Sequence, residues 1–174
     1  MPLWRDGAFA ENVWTAVTDD ATLPESGAVL VSLARWRRDA EALRKRGDVG
    51  LEIAAGPQAL AALAEVADRP LVALRFDKFG DGRAFSYAIL LRQRHGFRGE
   101  LRAVGDVLLD EIPLMLRCGF SSFDVSNEAT LRALREGRAP KFPVAYQPGL
   151  SAGETREASR PWARRLAGSL AAPA

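Results

Sequence analysis

Carboxylates and arginines set beside glycine turns are the residues of this chain whose types and spacing could do chemistry. Asp77, Asp81 and Asp106 follow closely on apolar, β-branched runs, and Gly80-Asp81-Gly82-Arg83 is a glycine-flanked turn that feeds a helix start. Free backbone N–H groups, the positive end of a helix and a guanidinium together suit a small anion. Gly82, Arg83 and Ser86, with Arg102 and Gly105 from the next repeat, are therefore the candidate anion-binding residues. The plainer alternative is an Asp81 that only caps its helix and an Arg83 that pairs with Asp77 or Asp106. The glycine spacing matches neither a phosphate-binding loop nor a dinucleotide fingerprint, so no cofactor is expected.

Asp106 and Asp110 stand four apart, which on a helix would put them on one face, able to hold a hard metal or to act as acid and base. A capping Asp106 and a solvated Asp110 account for the same spacing, and no metal site is expected. Cys118 is the only cysteine. Arg117 beside it would lower the thiol pKa, a helix end would raise it, and plain core burial competes with both. His95, the only histidine, precedes Gly96 and suits a helix C-terminal cap. Asp77, Asp81, Asp106 and Cys118 remain the catalytic candidates.

The chain as a whole bounds what these residues can do. Its 174 residues are enough for one domain with a sizeable core, at 48% hydrophobic and 26% charged residues. A formal net charge of +2 gives no argument for nucleic acid. The positive charge gathers late, with eight Arg and Lys against three Glu from Arg132 to Arg165. A single cysteine allows no internal disulfide and no all-cysteine cluster, which fits a reducing cytoplasm. The first residues have no apolar signal core, and no apolar run nears the roughly 20 residues that cross a bilayer.

The elements that would position the candidates alternate. Apolar, β-branched runs at 28–33, 49–53, 71–76, 100–104 and 122–125 read as strands. Helices are expected over 36–46, 58–67, 82–94, 106–116 with a break at Pro113, and 127–136 capped by Ser126. A sixth, edge strand is expected over 142–146. The organisation expected is an N-terminal arm (1–27) docked by its tryptophans, an α/β domain (28–147) and a basic C-terminal tail (148–174).

Five βα repeats with short connections predict a mainly parallel sheet. Each strand has a polar residue in its middle: Ser32, Glu52, Arg75, Arg102 and Asp124. A sheet covered by helices on both faces would be apolar there, so a curled, half-barrel-like sheet is favoured slightly over an open doubly wound one. Its concave face would gather Glu52, Arg75, Arg102 and Asp124 into an ion-pair cluster, as a structural network or a ligand site. In such folds ligands sit at the carboxyl ends of the strands, here from Asp77 to Ser86, Lys78 included, and at Gly105 and Asp106.

One string of motifs carries a resemblance. Phe76-Asp77, Phe79, Asp81-Gly82-Arg83 and Ser86, then Leu91-Arg92, Gly99-Glu100-Leu101-Arg102-Ala103, Gly105-Asp106-Val107 and Arg117-Cys118-Gly119-Phe120, closely resemble domain of unknown function 934. The likeness runs from about 30 to 146, with Tyr146-Gln147 like the family's end. That bacterial family carries an oxidoreductase label tied to sulfite reduction. The resemblance implies a cytoplasmic accessory protein of assimilatory sulfite reduction, acting by binding sulfite reductase or a small sulfur oxyanion. It brings no established catalytic residue. An enzyme of sulfur assimilation, working at the carboxyl ends of strands three and four, is the alternative, and a non-catalytic interaction module the second.

Overall fold

The computed structural model describes residues 2–77 and 81–139, with the backbone of three short late strands. Lys78, Phe79, Gly80, the Tyr146-Gln147 pair and most of the expected basic tail lie outside the described residues.

The N-terminal segment forms β1 (Leu3–Arg5), β2 (Ala8–Ala10) and β3 (Thr15–Ala16). The repeating unit then begins with β4 (Val29–Ser32), whose last residue caps α1 (Leu33–Arg38): the Ser32 Oγ accepts the Arg35 N–H at 3.0 Å. That cap starts the helix three residues earlier than the apolar spacing predicts. Asp39 then breaks it, and α2 (Ala40–Leu43) follows as a separate short piece. After β5 (Val49–Ala54), Pro57 opens α3 (Pro57–Ala62), its fixed φ suited to a first turn. β6 (Leu71–Phe76), α4 (Arg83–Gln93) and β7 (Glu100–Gly105) come next.

The expected helix from Asp106 does not form. Residues 106–111 are turn and coil, and α5 (Ile112–Arg117) starts one residue before Pro113. The proline that reads as a mid-helix break is a helix opener, because its missing N–H costs nothing in the first turn. β8 (Ser122–Asp124) and α6 (Glu128–Arg135) complete the repeats. Asn127, not Ser126, caps α6, its Oδ1 accepting the Thr130 N–H at 3.0 Å, while the Ser126 hydroxyl donates to the Gly105 carbonyl at 3.2 Å.

The sheet runs β2-β1-β8-β7-β6-β5-β4-β3. From β4 to β8 every strand is parallel to the one before it and lies beside it. An order without reversal keeps all right-handed crossovers on one face, whereas a doubly wound sheet needs a switch point. The buried clusters show this. One holds Val29, Leu51, Leu74, Leu101 and Phe123 together with helix residues such as Trp36, Ala59, Leu91 and Met115. The other holds only the strand residues Leu30, Leu71, Ala73 and Val104, with Trp14 packed on them.

The curl of this half-barrel also follows from chain length. β2 and β3 occupy opposite ends of the eight-stranded order. A flat sheet would hold them about 34 Å apart, at about 4.8 Å per strand. The five residue steps from Ala10 to Thr15 reach about 18 Å at most. Only a curled sheet brings both edges within that span, so residues 11–14 form a strap across the open face. Trp4 docks on the helix side instead, 5.6 Å from the Phe123 ring.

Two side-chain details fix the ends of the strands. Gly105 has φ +90°, and a Cβ there would lie 2.4 Å from the Phe76 carbonyl oxygen. This glycine lets the chain leave the sheet while the Asp106 N–H still donates to Phe76 at 2.8 Å. At the amino ends, Arg92 donates to the carbonyls of Phe97 and Gly99 at 2.9 Å and of Gly119 at 3.0 Å, fastening two loops to α4. β9 (Val144–Ala145), β10 (Glu154–Arg156) and β11 (Arg164–Leu166) make a second, antiparallel sheet. The strand expected as an edge of the main sheet is therefore paired with β11 instead.

Candidate functional site

Strand alternation sends every second residue of β4 to β8 to the open face. Register puts Ser32, Glu52, Ala73, Arg102 and Ser122 in one cross-strand row, with Arg5 of β1 at its end. One row nearer the carboxyl ends stand Ala54, Arg75 and Val104, and Asp124 follows Ser122 by two residues on β8.

The amino-end half of this face is sealed. The Arg102 side chain is 1% exposed and donates twice to one Glu100 oxygen, at 2.7 and 2.9 Å. Its Nη1 donates to Asn12 Oδ1 of the strap at 3.0 Å. The Ser122 hydroxyl donates to the same Glu100 oxygen at 2.5 Å, and Arg5 stands 3.8 Å from the other. The strap thus completes an internal polar network, and Trp14 covers the apolar patch beside it.

The carboxyl-end half is open. Arg75 donates from Nε to Glu52 at 2.6 Å, yet its side chain stays 39% exposed. Glu52 also lines a cleft of about 490 Å³ at the ends of β4 and β5, with Ser32, Ala54, Gly56 and Gln58. The Ser32 hydroxyl donates to Asp19 at 2.6 Å, which ties the segment after β3 to the rim of the cleft. Asp124 is half-buried, and its Oδ1 is shielded from solvent with no hydrogen-bond partner among the described residues. Burial pushes its carboxyl above the usual carboxylate range, against the pull of the amino terminus, Arg102 and Arg75.

The expected cluster of Glu52, Arg75, Arg102 and Asp124 thus resolves into separate pairs. Arg75 takes Glu52, while Arg102 takes Glu100, two residues away on its own strand and so on the same face. Asp124 is left over. Glu100 carried a signal, the period of two, but the Asn12 contact spans 90 positions and has no sequence pattern.

The anion candidates do not converge. Arg83 is bound back to Asp81 at 2.6 and 2.8 Å and is 54% exposed, with Gly82 and Ser86 exposed near it at the start of α4. Arg102 lies three residues, roughly 10 Å, before Gly105 on β7 and is sealed under the strap. Arg83 holds the Asp81 carboxyl down at about 2. Asp81 therefore keeps its charge near neutrality and has no proton to give. Gly82 occupies the N-cap position of α4, and Asp81, one residue earlier, accepts the Arg83 N–H of the first turn at 3.3 Å, as the capping alternative expects.

Asp77 is exposed immediately after β6. Asp106 and Asp110 sit in the turn before α5, not on a helix face. Beside them burial pushes the Glu111 carboxyl up, helped by the charges of Asp110 and Asp106. Among the described residues no group of three or more His, Cys, Asp and Glu is arranged to hold a metal ion. Cys118 is buried at the end of α5, and burial raises its thiol pKa more than Arg117 lowers it. A raised thiol keeps its proton and is a poor nucleophile.

Fold and site together define an α/β half-barrel with a polar open face. The model of the family described as "Bacterial protein of unknown function (DUF934)" matches residues 49–156, more than half of the chain, and the chain belongs to that family. The match begins at β5 and reaches past the Tyr146-Gln147 pair, so β1 to β4 lie before it. No curated protein and no solved structure matches. Among the described residues no helix is long and apolar enough to cross a membrane.

Proposed function

We propose that this chain is a cytoplasmic accessory protein of assimilatory sulfite reduction that binds a small sulfur oxyanion at the open carboxyl end of its half-barrel, around Arg75. The substrate class comes from the family resemblance, and the position from the geometry. One observation carries the reading: of the open-face arginines Arg5, Arg75 and Arg102, Arg75 alone stands in the carboxyl-end half, and its side chain is exposed. Arg102 is 1% exposed, and Arg83 stands at the start of α4, off the open face, with its Nε and Nη2 on Asp81 as those of Arg75 are on Glu52. Arg75 also adjoins, through Glu52, the cleft in which a ligand would lie. Carboxyl ends of parallel strands are the general ligand end of such folds.

The test is a heat-unfolding titration of the full chain with sulfite, sulfate and phosphate, using wild type, Arg75→Ala and Arg83→Ala. Ligand at 100 times its Kd stabilises by about 2.7 kcal/mol, a shift of a few degrees at this size. A sulfite shift lost in Arg75→Ala and kept in Arg83→Ala is the expected result. A shift lost only in Arg83→Ala moves the site to the α4 turn. No shift with any anion sinks the ligand reading and leaves capture of sulfite reductase by the immobilised chain as the remaining test of an accessory role.

A second reading, an enzyme of sulfur assimilation at the ends of β6 and β7, draws on Glu111. Its raised carboxyl beside Asp106 suits a general acid. Glu111→Gln that leaves the melting temperature unchanged but abolishes growth on sulfate would favour it; normal growth would remove it.

A further inference from the structure

We propose that the ligand of this site is an aminoalkanesulfonate, with its sulfonate on Arg75, its amine on Glu52 and its carbon chain in the cleft at the ends of β4 and β5. This rests on Arg75 being the group that takes the sulfur oxyanion, and adds what the rest of the ligand is.

The size and lining of the cleft begin the argument. Its volume of about 490 Å³ falls in the range of roughly 300 to 1,000 Å³ that holds organic ligands. An inorganic sulfur oxyanion is only a sulfur and its oxygens, and would leave most of that space to water. Leu33, Ala34, Ala54, Pro57 and Ala59 supply an apolar wall, which gains nothing from an ion but is covered favourably by a carbon chain. Arg75 stands beside this wall, because it is the cross-strand partner of Ala54 in the register of β5 and β6.

Charge supplies the other end of the ligand. Among the described residues Glu52 is the only charged side chain in the lining. Arg75 places both of its contacts, from Nε and Nη2, on Glu52 Oε1, and no described residue bonds Oε2. The Ser32 hydroxyl is already engaged: it accepts the Arg35 N–H and donates to Asp19, whose carboxylate adds negative charge at the rim. A bare anion would meet two carboxylates and one arginine already shared with one of them. An ammonium group instead meets Glu52 Oε2 as a charge-assisted donor and leaves the outer N–H groups of Arg75 to the sulfonate. Glu52 and Arg75 touch each other across neighbouring strands, so a short chain between the two charged ends is enough. No covalent bond forms or breaks.

The experiment is calorimetric titration of the full chain near neutral pH with 3-aminopropanesulfonate, propanesulfonate and sulfite. Arg75→Ala, Glu52→Gln and Ala54→Leu are run beside wild type, each with a melting curve to show that it is folded. Ala54 is exposed, so a leucine there fills the cleft and not the core. Wild type should bind 3-aminopropanesulfonate about tenfold more tightly than propanesulfonate, the difference one charged hydrogen bond makes. In Glu52→Gln that ratio should fall towards one, whichever way the freed Arg75 changes the absolute affinities. Ala54→Leu should weaken both sulfonates, and Arg75→Ala should lose both of them and sulfite. Sulfonates that bind no more tightly than sulfite, with sulfite binding still lost in Arg75→Ala, would overturn the inference and leave the oxyanion site standing. An amine advantage that is absent, or that survives Glu52→Gln, would overturn it as well. So would sulfonates that bind Ala54→Leu as tightly as wild type. Wild type that binds neither sulfite nor a sulfonate would bring down the site itself.

Discussion

Asp124 and Arg92 show how burial alone sets opposite values on two polar side chains. Arg92 is half-buried with no carboxylate partner among the described residues, yet three carbonyls accept its N–H groups and its guanidinium lies 5.0 Å from the Phe97 ring centroid. Arg92→Met keeps the stem but leaves those carbonyls unmatched. At about 1 to 3 kcal/mol per buried orphan group, the variant should lose about 3 kcal/mol or more, read as a lowered denaturant midpoint. Asp124 works the other way. Its folded pKa is raised, so the folded state binds its proton more tightly than the unfolded chain does. The penalty is absent below the unfolded value, grows as pH rises through the window between the two, and is fully present above the folded one. Asp124→Asn should therefore melt higher than wild type near neutrality, with the gain vanishing in acid. A variant no more stable at neutral pH than in acid would contradict that.

At the scale of elements, the strand-to-helix corners decide where chemistry can sit. Gly105 closes β7 with φ +90° and no room for a Cβ beside Phe76. Gly105→Ala should cost at least about 2 kcal/mol, from backbone strain and the clash together. Gly96 has φ +66° but open space around it, so Gly96→Ala should cost only about 1 kcal/mol. Equal losses in paired denaturant curves would mean that the corner after β7 yields more readily than its geometry suggests. The same corner explains why Asp106 leads into a turn. Val107 is buried, and the chain reaches helix geometry only at Ile112, where Pro113 fits the first turn. The acidic pair expected on one helix face is consequently split over a turn.

For the molecule as a whole, the strap is what makes half a barrel sufficient. A closed barrel buries its inner face against itself. Here Trp14 of the strap packs on Leu30, Leu71, Ala73 and Val104, and Asn12 accepts a hydrogen bond from Arg102 Nη1. Asn12→Leu leaves that donor buried and unmatched and should destabilise by about 1 to 3 kcal/mol. Removal of residues 2–17 should expose the inner apolar patch and produce a species that binds a hydrophobic dye and unfolds without cooperativity. A truncated chain that melts as sharply as the full one would show that the strap is only a cover. Because the strap seals the amino-end half, the open part of the face is its carboxyl end, with Arg75 and Glu52.

Much of this is legible in the sequence alone. Apolar runs of four to six residues alternating with glycine- and proline-bounded segments specify βα repeats, because strand and helix periods are local properties. The polar residue in the middle of each strand pointed to a face without helices, since a charge between two apolar layers is too costly to keep. Caps and starts were less legible: Ser32, Asn127 and Pro113 each have two local readings, and packing chose between them. The pairing partners were beyond the sequence. Whether Arg102 meets Glu100 or Asp124, whether Arg83 turns inward or onto Asp81, and that Asn12 reaches across 90 positions are set by register and curl. The sequence by itself determined which residues would be buried in alternation and hence the half-barrel. Only the tertiary structure decided which charges are neutralised and which one is left over, because that depends on distances between strands that no local spacing encodes.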